Sequence, residues 1–465
     1  MISRRHVSHR PRWSLSFGLL LVLLLAVWMA GGASRADEAG QAVVRGIAAG
    51  TLAVAVLFVP WRARDWPPAV CALMLAMIVL PLLQLVPLPP EWWLALPRRI
   101  PFEQAVEGAQ PWRPLAIAPD AALDALTSLW VPLAVLALVS GLRPSEREAL
   151  LPVLLLMVAA SMLVGLAQLS GIRFDNPWIN YDPGRVSGTF ANRNHFALFL
   201  ALGCLLAPAW AVQGGRPSAH WRFPIALGLV AVFLLLIMAT GSRAGLLAGA
   251  AAVVTGMLLV RAGGREVLPR GPVWMAPAAG LAASVVVAAL VVLDIVADRA
   301  QSIGRAAALD VADDMRVRAL PTVVAMVRDY FPAGIGFGGF DPLFRLHEPD
   351  ALLKPTYFNH AHDDFLEVAL EGGLPAMVLI AAGGGWWAFA SKRAWTRAGE
   401  GVAARAGSAG LLLIMLASLF DYPARTPLIM AIAMICAVWL DRPRNMRGTA
   451  TFARWKRSGG TPEYI

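Results

Sequence analysis

Long apolar runs alternate with polar connections along the whole chain, and within each run the apolarity is continuous rather than alternating every second residue. Continuous apolarity over about 17 to 22 residues suits helices that cross a hydrocarbon core, whereas the strands of a membrane barrel would alternate. Twelve such spans are predicted, roughly 14–32, 42–59, 68–86, 123–142, 150–168, 194–212, 223–240, 244–260, 273–293, 374–390, 407–422 and 425–440. The expected fold class is therefore all-α, a polytopic membrane protein of about twelve transmembrane helices.

The connections differ in charge. Arg62 and Arg64, Arg143 and Arg147, Arg216 and Arg222, Arg261, Arg265 and Arg270, and Lys392, Arg393, Arg397 and Arg405 all fall on one side of an alternating topology. Both ends of the chain are basic as well, with Arg4, Arg5, Arg10 and Arg12 before the first span and Arg442 to Arg457 after the last. Basic connections stay in the cytoplasm, so both termini are expected there. The connections 33–41, 87–122, 169–193, 241–243, 294–373 and 423–424 then face outward, and 294–373 is the one expected to fold on its own.

On this reading the chain divides into N-terminal transmembrane helices (1–149), a second helical block (150–293), an outer loop (294–373), C-terminal helices (374–440) and a basic tail (441–465). The first span is read as a retained anchor rather than a signal peptide, because its apolar run is long and contains Trp28.

Composition agrees: 58% hydrophobic against 15% charged residues excludes a water-soluble globule. The net charge of +10 follows from the inner connections and a tail lying on anionic lipid, so membrane lipids are expected partners and nucleic acid is not. Cys71, Cys204 and Cys436 lie far apart inside spans, which provides neither a disulfide framework nor a metal-ligand spacing.

Chemistry is concentrated on the outward side. The segment from Asn359 to Pro375, NHAHDDFLEVALEGGLP, places His360, His362, Asp363 and Asp364 beside a span, where a titratable cluster needs water or chemistry to justify it. Asn359 or His360 is expected to cap a helix starting near Ala361, with Gly372 and Gly373 ending it before the next span. The two histidines read as interfacial polar groups or as a base-competent site; a zinc site with Asp364 is disfavoured for want of further ligands.

Arg193 and Arg243 each stand at an outward span end, against the positive-inside bias. A pair of guanidinium forks suits a pyrophosphate better than a single lipid phosphate. Asn192, Asn194 and His195 add polar groups at the same entrance.

Between these motifs, residues 315–330 show apolar positions Met315, Leu320, Val323, Val324 and Val327 at mostly helical spacing, with Arg316 and Arg318 between them, the pattern of an amphipathic helix. Pro321 either kinks it or marks its first turn. PAGIGFGGF, 332–340, lacks the lysine and hydroxyl residue of a phosphate-binding loop and reads as a tight reversal.

Taken in order, RVSGTFANRNHFALFLAL (185–202), ATGSRAGLLAG (239–249), DYFPAGIGFGGF (329–340) and HAHDDFLEVALEGGLP (360–375) resemble the O-antigen ligase and polymerase superfamily over roughly residues 150–440. The resemblance implies a GT-C-like integral-membrane glycosyltransferase. Its donor would be an undecaprenyl-diphosphate-linked glycan and its acceptor a lipid A-core or a growing polysaccharide, at the periplasmic face of the bacterial inner membrane.

The family's essential histidine maps to His362 and its two arginines to Arg193 and Arg243, with His360, Asp363, Asn194 and Arg316 expected around them. No cofactor or metal is expected. The chain departs from the family pattern at Asp363, where Asn, Ser or Gln is usual, and at Ala376, where a glycine is usual. His362 is expected to act as general base or, alternatively, to contact the diphosphate. Ligase and polymerase remain alternatives within the family, and a flippase or transporter is a more distant one, because that class would place charges at mid-membrane on broken helices.

Overall fold

The computed structural model describes residues 13–62, 65–105, 108–172, 176–179, 185–264, 311–353, 358–397 and 400–441. The predicted span 273–293, the start of the long outer loop and the basic tail after residue 441 lie outside them. Most of the described residues are helical, and the strands among them are a two-residue pairing of β1 (Pro87–Leu88) with β2 (Arg113–Pro114).

Helices occupy each remaining predicted span: α1 (Leu15–Ala30), α2 (Ala39–Phe58), α3 (Pro68–Gln84), α4 (Pro119–Ser140), α5 (Pro144–Leu169), α6 (Arg193–Val212), α7 (Arg216–Ala239) and α8 (Arg243–Gly264). After the outer loop come α9 (Val311–Tyr330), α10 (Phe340–His347), α11 (Asp364–Thr396), α12 (Val402–Ala417) and α13 (Pro427–Leu440). Seven of these helices are long and apolar enough to cross a membrane, and α1, α3, α12 and α13 are shorter apolar helices. The chain is thus an all-α integral membrane protein.

α6 is the axis of the bundle. Its most apolar window is 89% buried, against 22% for the neighbouring α7, because HFALFLALGCLLA is apolar on every face and can be enclosed all round. α5, α7, α8 and α12 pack around it. Where α8 crosses α6, a Cβ on Gly245 would lie 2.3 Å from the Ala197 methyl, so a glycine there lets the two backbones approach at small-residue range.

The connections predicted to face outward gather at one end of this bundle. Gly31 accepts from Leu428 N, Gly32 from Ala191 N, and the Trp178 carbonyl from Gly40 N. At the opposite end Glu146 accepts from Ser14, Asp441 from Ala69 N, and the Leu440 carbonyl from Arg393. Arg45, near the start of α2, pairs with Asp124 near the start of α4, at the end that lies with the connections predicted to face outward.

Two of the segments predicted to face outward fold over that end. The described part of the long loop encloses an apolar cluster of Ala319, Val323, Met326 and Tyr330 from α9, Phe340, Leu343 and Phe344 from α10, and Phe358 and Leu370. The buried stripe of α9 is shifted from the predicted one: Leu320 is 47% exposed, and Ala319 and Met326 take the inner positions beside Val323. The predicted set mixed two faces, and packing selected the one spaced 319, 323, 326, 330. The connection 87–118 also folds, through β1, β2 and two short helices, and Ile117 N donates to the Ile335 carbonyl of the long loop.

Candidate functional site

The histidine segment enters α11 differently from expectation. The helix starts at Asp364, and its N-cap is Asp363, whose Oδ1 accepts from Leu366 N at 3.0 Å; neither Asn359 nor His360 caps it. An aspartate is among the best N-caps and outcompetes a histidine for that role. Asp363 thus serves the helix end, a role that the Asn or Ser usual in the family pattern would fill equally. Ala376, the other departure, is 1% exposed and packs against Gly372.

Gly373 breaks α11 as predicted, with φ 57° and ψ −150°. The glycine-rich turn satisfies the carbonyls that the break exposes: Ile335 N donates to Leu370 O, Gly336 N to Glu371 O, and Leu374 N turns to Pro332 O. The turn is a tight reversal, with Gly334, Gly336 and Gly338 all at positive φ.

His362 stands one residue before the cap, in the left-handed region with φ 55°. Its Nδ1 donates to Asp421 Oδ1 at 3.0 Å. Asp421, in the short connection between α12 and α13, is 2% exposed and is the centre of the cluster. Asn192 Nδ2 and Asn194 Nδ2 donate to its Oδ2 at 3.0 and 2.7 Å, and Tyr422 N donates to its Oδ1 at 3.0 Å. Arg316 Nη2 lies 3.7 Å from Oδ2, and its Nη1 donates to the Phe420 carbonyl.

One carboxylate thus joins the arginine-motif residue Asn194, the outer-loop residue Arg316 and the histidine His362. The sequence reading did not single out Asp421, because the span predicted over 407–422 enclosed it. An aspartate at the end of an apolar run, two residues before Pro423, was the available signal.

Burial opposes charge on Asp421, but the hydrogen bond from His362 and the positive fields of His195, His362 and Arg316 hold it well below the usual carboxylate range. For His362 the balance runs the other way. Its burial outweighs the raising effect of Asp421, and Arg316 and His360 act in the same downward direction. The imidazole is therefore held neutral near pH 7, with its tautomer set by Asp421.

The two arginines stand at neighbouring helix starts. Asn192 Oδ1 caps α6 by accepting from Asn194 N, and Ser242 Oγ accepts from Gly245 N in the first turn of α8. A Cβ on Gly241 would lie 3.4 Å from the Arg193 guanidinium, so Arg193 rests on the turn that carries Arg243. Arg193 is half-buried and Arg243 exposed. Two helix N-termini and two guanidinium groups on one turn make an anion-favouring entrance. A narrow pocket beside Asp421 is lined by Asn194, His195, Leu198, Gly245, Ala248 and Ala417.

The remaining expected members lie close by. His360 packs at a tilt against Tyr422 with ring centroids 4.3 Å apart, and His362 meets the same ring edge-on at 4.8 Å. Burial and the charge of Asp421 raise the Tyr422 hydroxyl, which stays neutral beside Asn359 and Asn192. His195 is buried, with its Nδ1 3.0 Å from Thr426 Oγ1, a satisfied helix-end residue. His360 and His362 bond to different carboxylates, and among the described residues no group of three or more His, Cys, Asp or Glu is arranged to hold a metal ion.

No curated protein matches the chain. A family model described as O-antigen ligase matches residues 227–381, a segment that takes in Arg243, Arg316, His360, His362 and Asp363 and leaves Arg193, Asn194 and Asp421 outside it. That match, over about a third of the chain, supports its resemblance to the O-antigen ligase and polymerase superfamily.

Proposed function

We propose that the chain is a glycosyltransferase of the inner membrane that moves a glycan from undecaprenyl diphosphate to an acceptor hydroxyl at the periplasmic face. The observation that carries this reading is the His362–Asp421 pair beside the helix starts bearing Arg193 and Arg243. With Nδ1 committed to Asp421, Nε2 is the nitrogen left to take a proton from the attacking hydroxyl. As the anomeric bond breaks, negative charge grows on the diphosphate, and Arg193, Arg243 and the two helix N-termini are placed to stabilise it. A single displacement on one face inverts the anomeric carbon. The arginines supply the charge neutralisation, so transfer is expected to survive EDTA.

The acceptor is a lipid A-core in the ligase reading and the end of a growing polysaccharide in the polymerase reading, with the same donor chemistry in both. A deletion strain separates them. Accumulation of complete lipid-linked chains identifies a ligase, and loss of long chains with one capped unit remaining identifies a polymerase.

The base assignment is tested by transfer from the lipid-linked glycan that accumulates in that strain, measured against pH for wild type and His362→Gln. The variant is expected to lose about 10²- to 10⁴-fold and to lose the rise of rate with pH that follows deprotonation of the base. An unchanged pH profile would remove His362 from the base role.

A further inference from the structure

The His362–Asp421 pair is assembled from two connections that are distant in sequence, 358–363, which is irregular, and 418–426, whose one regular element is the 3-10 turn Pro423–Arg425. His362 holds a left-handed backbone that a non-glycine residue keeps only when its surroundings over-determine it. Something must therefore fix both loops together, and the described residues contain a group that touches both.

That group is Glu367, fully buried one turn into α11. Its Oε2 accepts from Ala361 N at 2.7 Å and its Oε1 from His360 Nδ1 at 2.9 Å, so both oxygens grip the histidine loop. The same Oε1 lies 3.2 Å from Arg425 Nη1. Arg425 belongs to the aspartate loop, four residues after Asp421, and its other contacts are Glu371 at 2.9 Å and Asp364 at 3.4 Å on the same face of α11. Asp364 adds two bonds to that loop, from Ser418 Oγ and Ala424 N. Asp364 and Glu371 hold only the aspartate loop through these contacts; Glu367 holds both.

We propose that Glu367 is a positioning residue for the His362–Asp421 pair, its single buried carboxylate joining the loop that carries the histidine to the loop that carries the aspartate. The inference rests on His362 being the base. It assigns Glu367 no contact with substrate: its effect passes through the separation and orientation of the two side chains. Because that pair acts in the chemical step, misplacement lowers kcat while donor binding at Arg193 and Arg243 is retained.

The test is a double-mutant cycle on the full-length protein in detergent or vesicles, using the lipid-linked glycan from the deletion strain as donor. Glu367→Gln keeps the shape but cannot present two accepting oxygens. It is expected to lower kcat by about 10- to 100-fold, the scale of a misplacement near 1 Å, with donor KM within about twofold of wild type. In a His362→Gln background the same substitution is expected to cost less than about twofold, because the group it positions is gone.

Equal fold-losses in the two backgrounds, or a loss carried by KM, would overturn the proposal. Glu367→Asp keeps the charge around Arg425 and shortens the reach, which guards against Glu367→Gln failing to fold: reduced kcat at unchanged KM supports the clamp, and wild-type kcat overturns it. If His362→Gln alone leaves transfer unchanged, the base assignment fails instead, and that result is distinguishable from additivity in the cycle.

Discussion

Asp421 collects donors from Asn192, Asn194 and His362 and the charge of Arg316 on one buried carboxylate, and a carboxylate so satisfied stays ionised where an isolated one would not. Asp421→Asn puts an amide among donors that need acceptors and withdraws the negative charge that raises His362. With that raising influence gone, the histidine falls further below its ordinary value. The pH at which transfer is lost on acidification should therefore move down, while the maximal rate drops by about 10²-fold for want of an oriented base. A pH–rate profile of the purified variant checks both parts, and a downward shift without rate loss would restrict Asp421 to tuning. His362, Arg193 and Arg243 were legible in the sequence because each is a charged or titratable residue set against apolar surroundings. Asp421 and Glu367 were not, since one was absorbed into a predicted span and the other looks like an ordinary polar position on a helix; only their long-range partners mark them.

α11 shows what a helix-scale reading can and cannot see. The glycine break at 373 and the long apolar run after it follow from composition, but the start of the helix shifted because two candidates for the cap stood next to a better one, Asp363. The amphipathic α9 was likewise placed correctly along the chain while its inner face was misassigned, since Ala319 is too small to register as a hydrophobic anchor and Leu320 is too large to be ignored. The connection 87–118 was passed over because it has little periodicity, and its structure comes from docking on the glycine-rich turn: Arg99, 1% exposed, donates to both Leu115 O and Gly334 O. At Gly373 the element-scale argument becomes quantitative. Its φ and ψ fall where only glycine is at ease, and a Cβ there would stand 2.1 Å from Pro332 O. Gly373→Ala should therefore destabilise the protein by at least about 1–3 kcal/mol, because it separates the break in α11 from the turn that receives its carbonyls. Thermal unfolding in detergent would reveal it, and a midpoint equal to wild type would mean that the turn and the break are not coupled.

Across the whole molecule, charge asymmetry gives an expected sidedness, and packing sorts the connections into the same two groups. Connections assigned to one side by their arginines meet one another at one end of the bundle, and the remainder meet at the other. Packing alone does not say which end faces the periplasm; the expectation that the termini are cytoplasmic rests on the basic connections, whose translocation is disfavoured. Leu346 on α10 and Arg397 after α11 are both exposed and lie on opposite sides of this assignment. In a background with Cys71, Cys204 and Cys436 replaced, a cysteine at 346 should react with a membrane-impermeant thiol reagent in spheroplasts, and a cysteine at 397 only after permeabilisation. The reverse pattern would turn the molecule over and put Arg193, Arg243 and His362 in the cytoplasm. The proposed donor would then have to be used before its glycan crosses the membrane, so the same measurement decides both the orientation and the compartment in which the proposed transfer can operate.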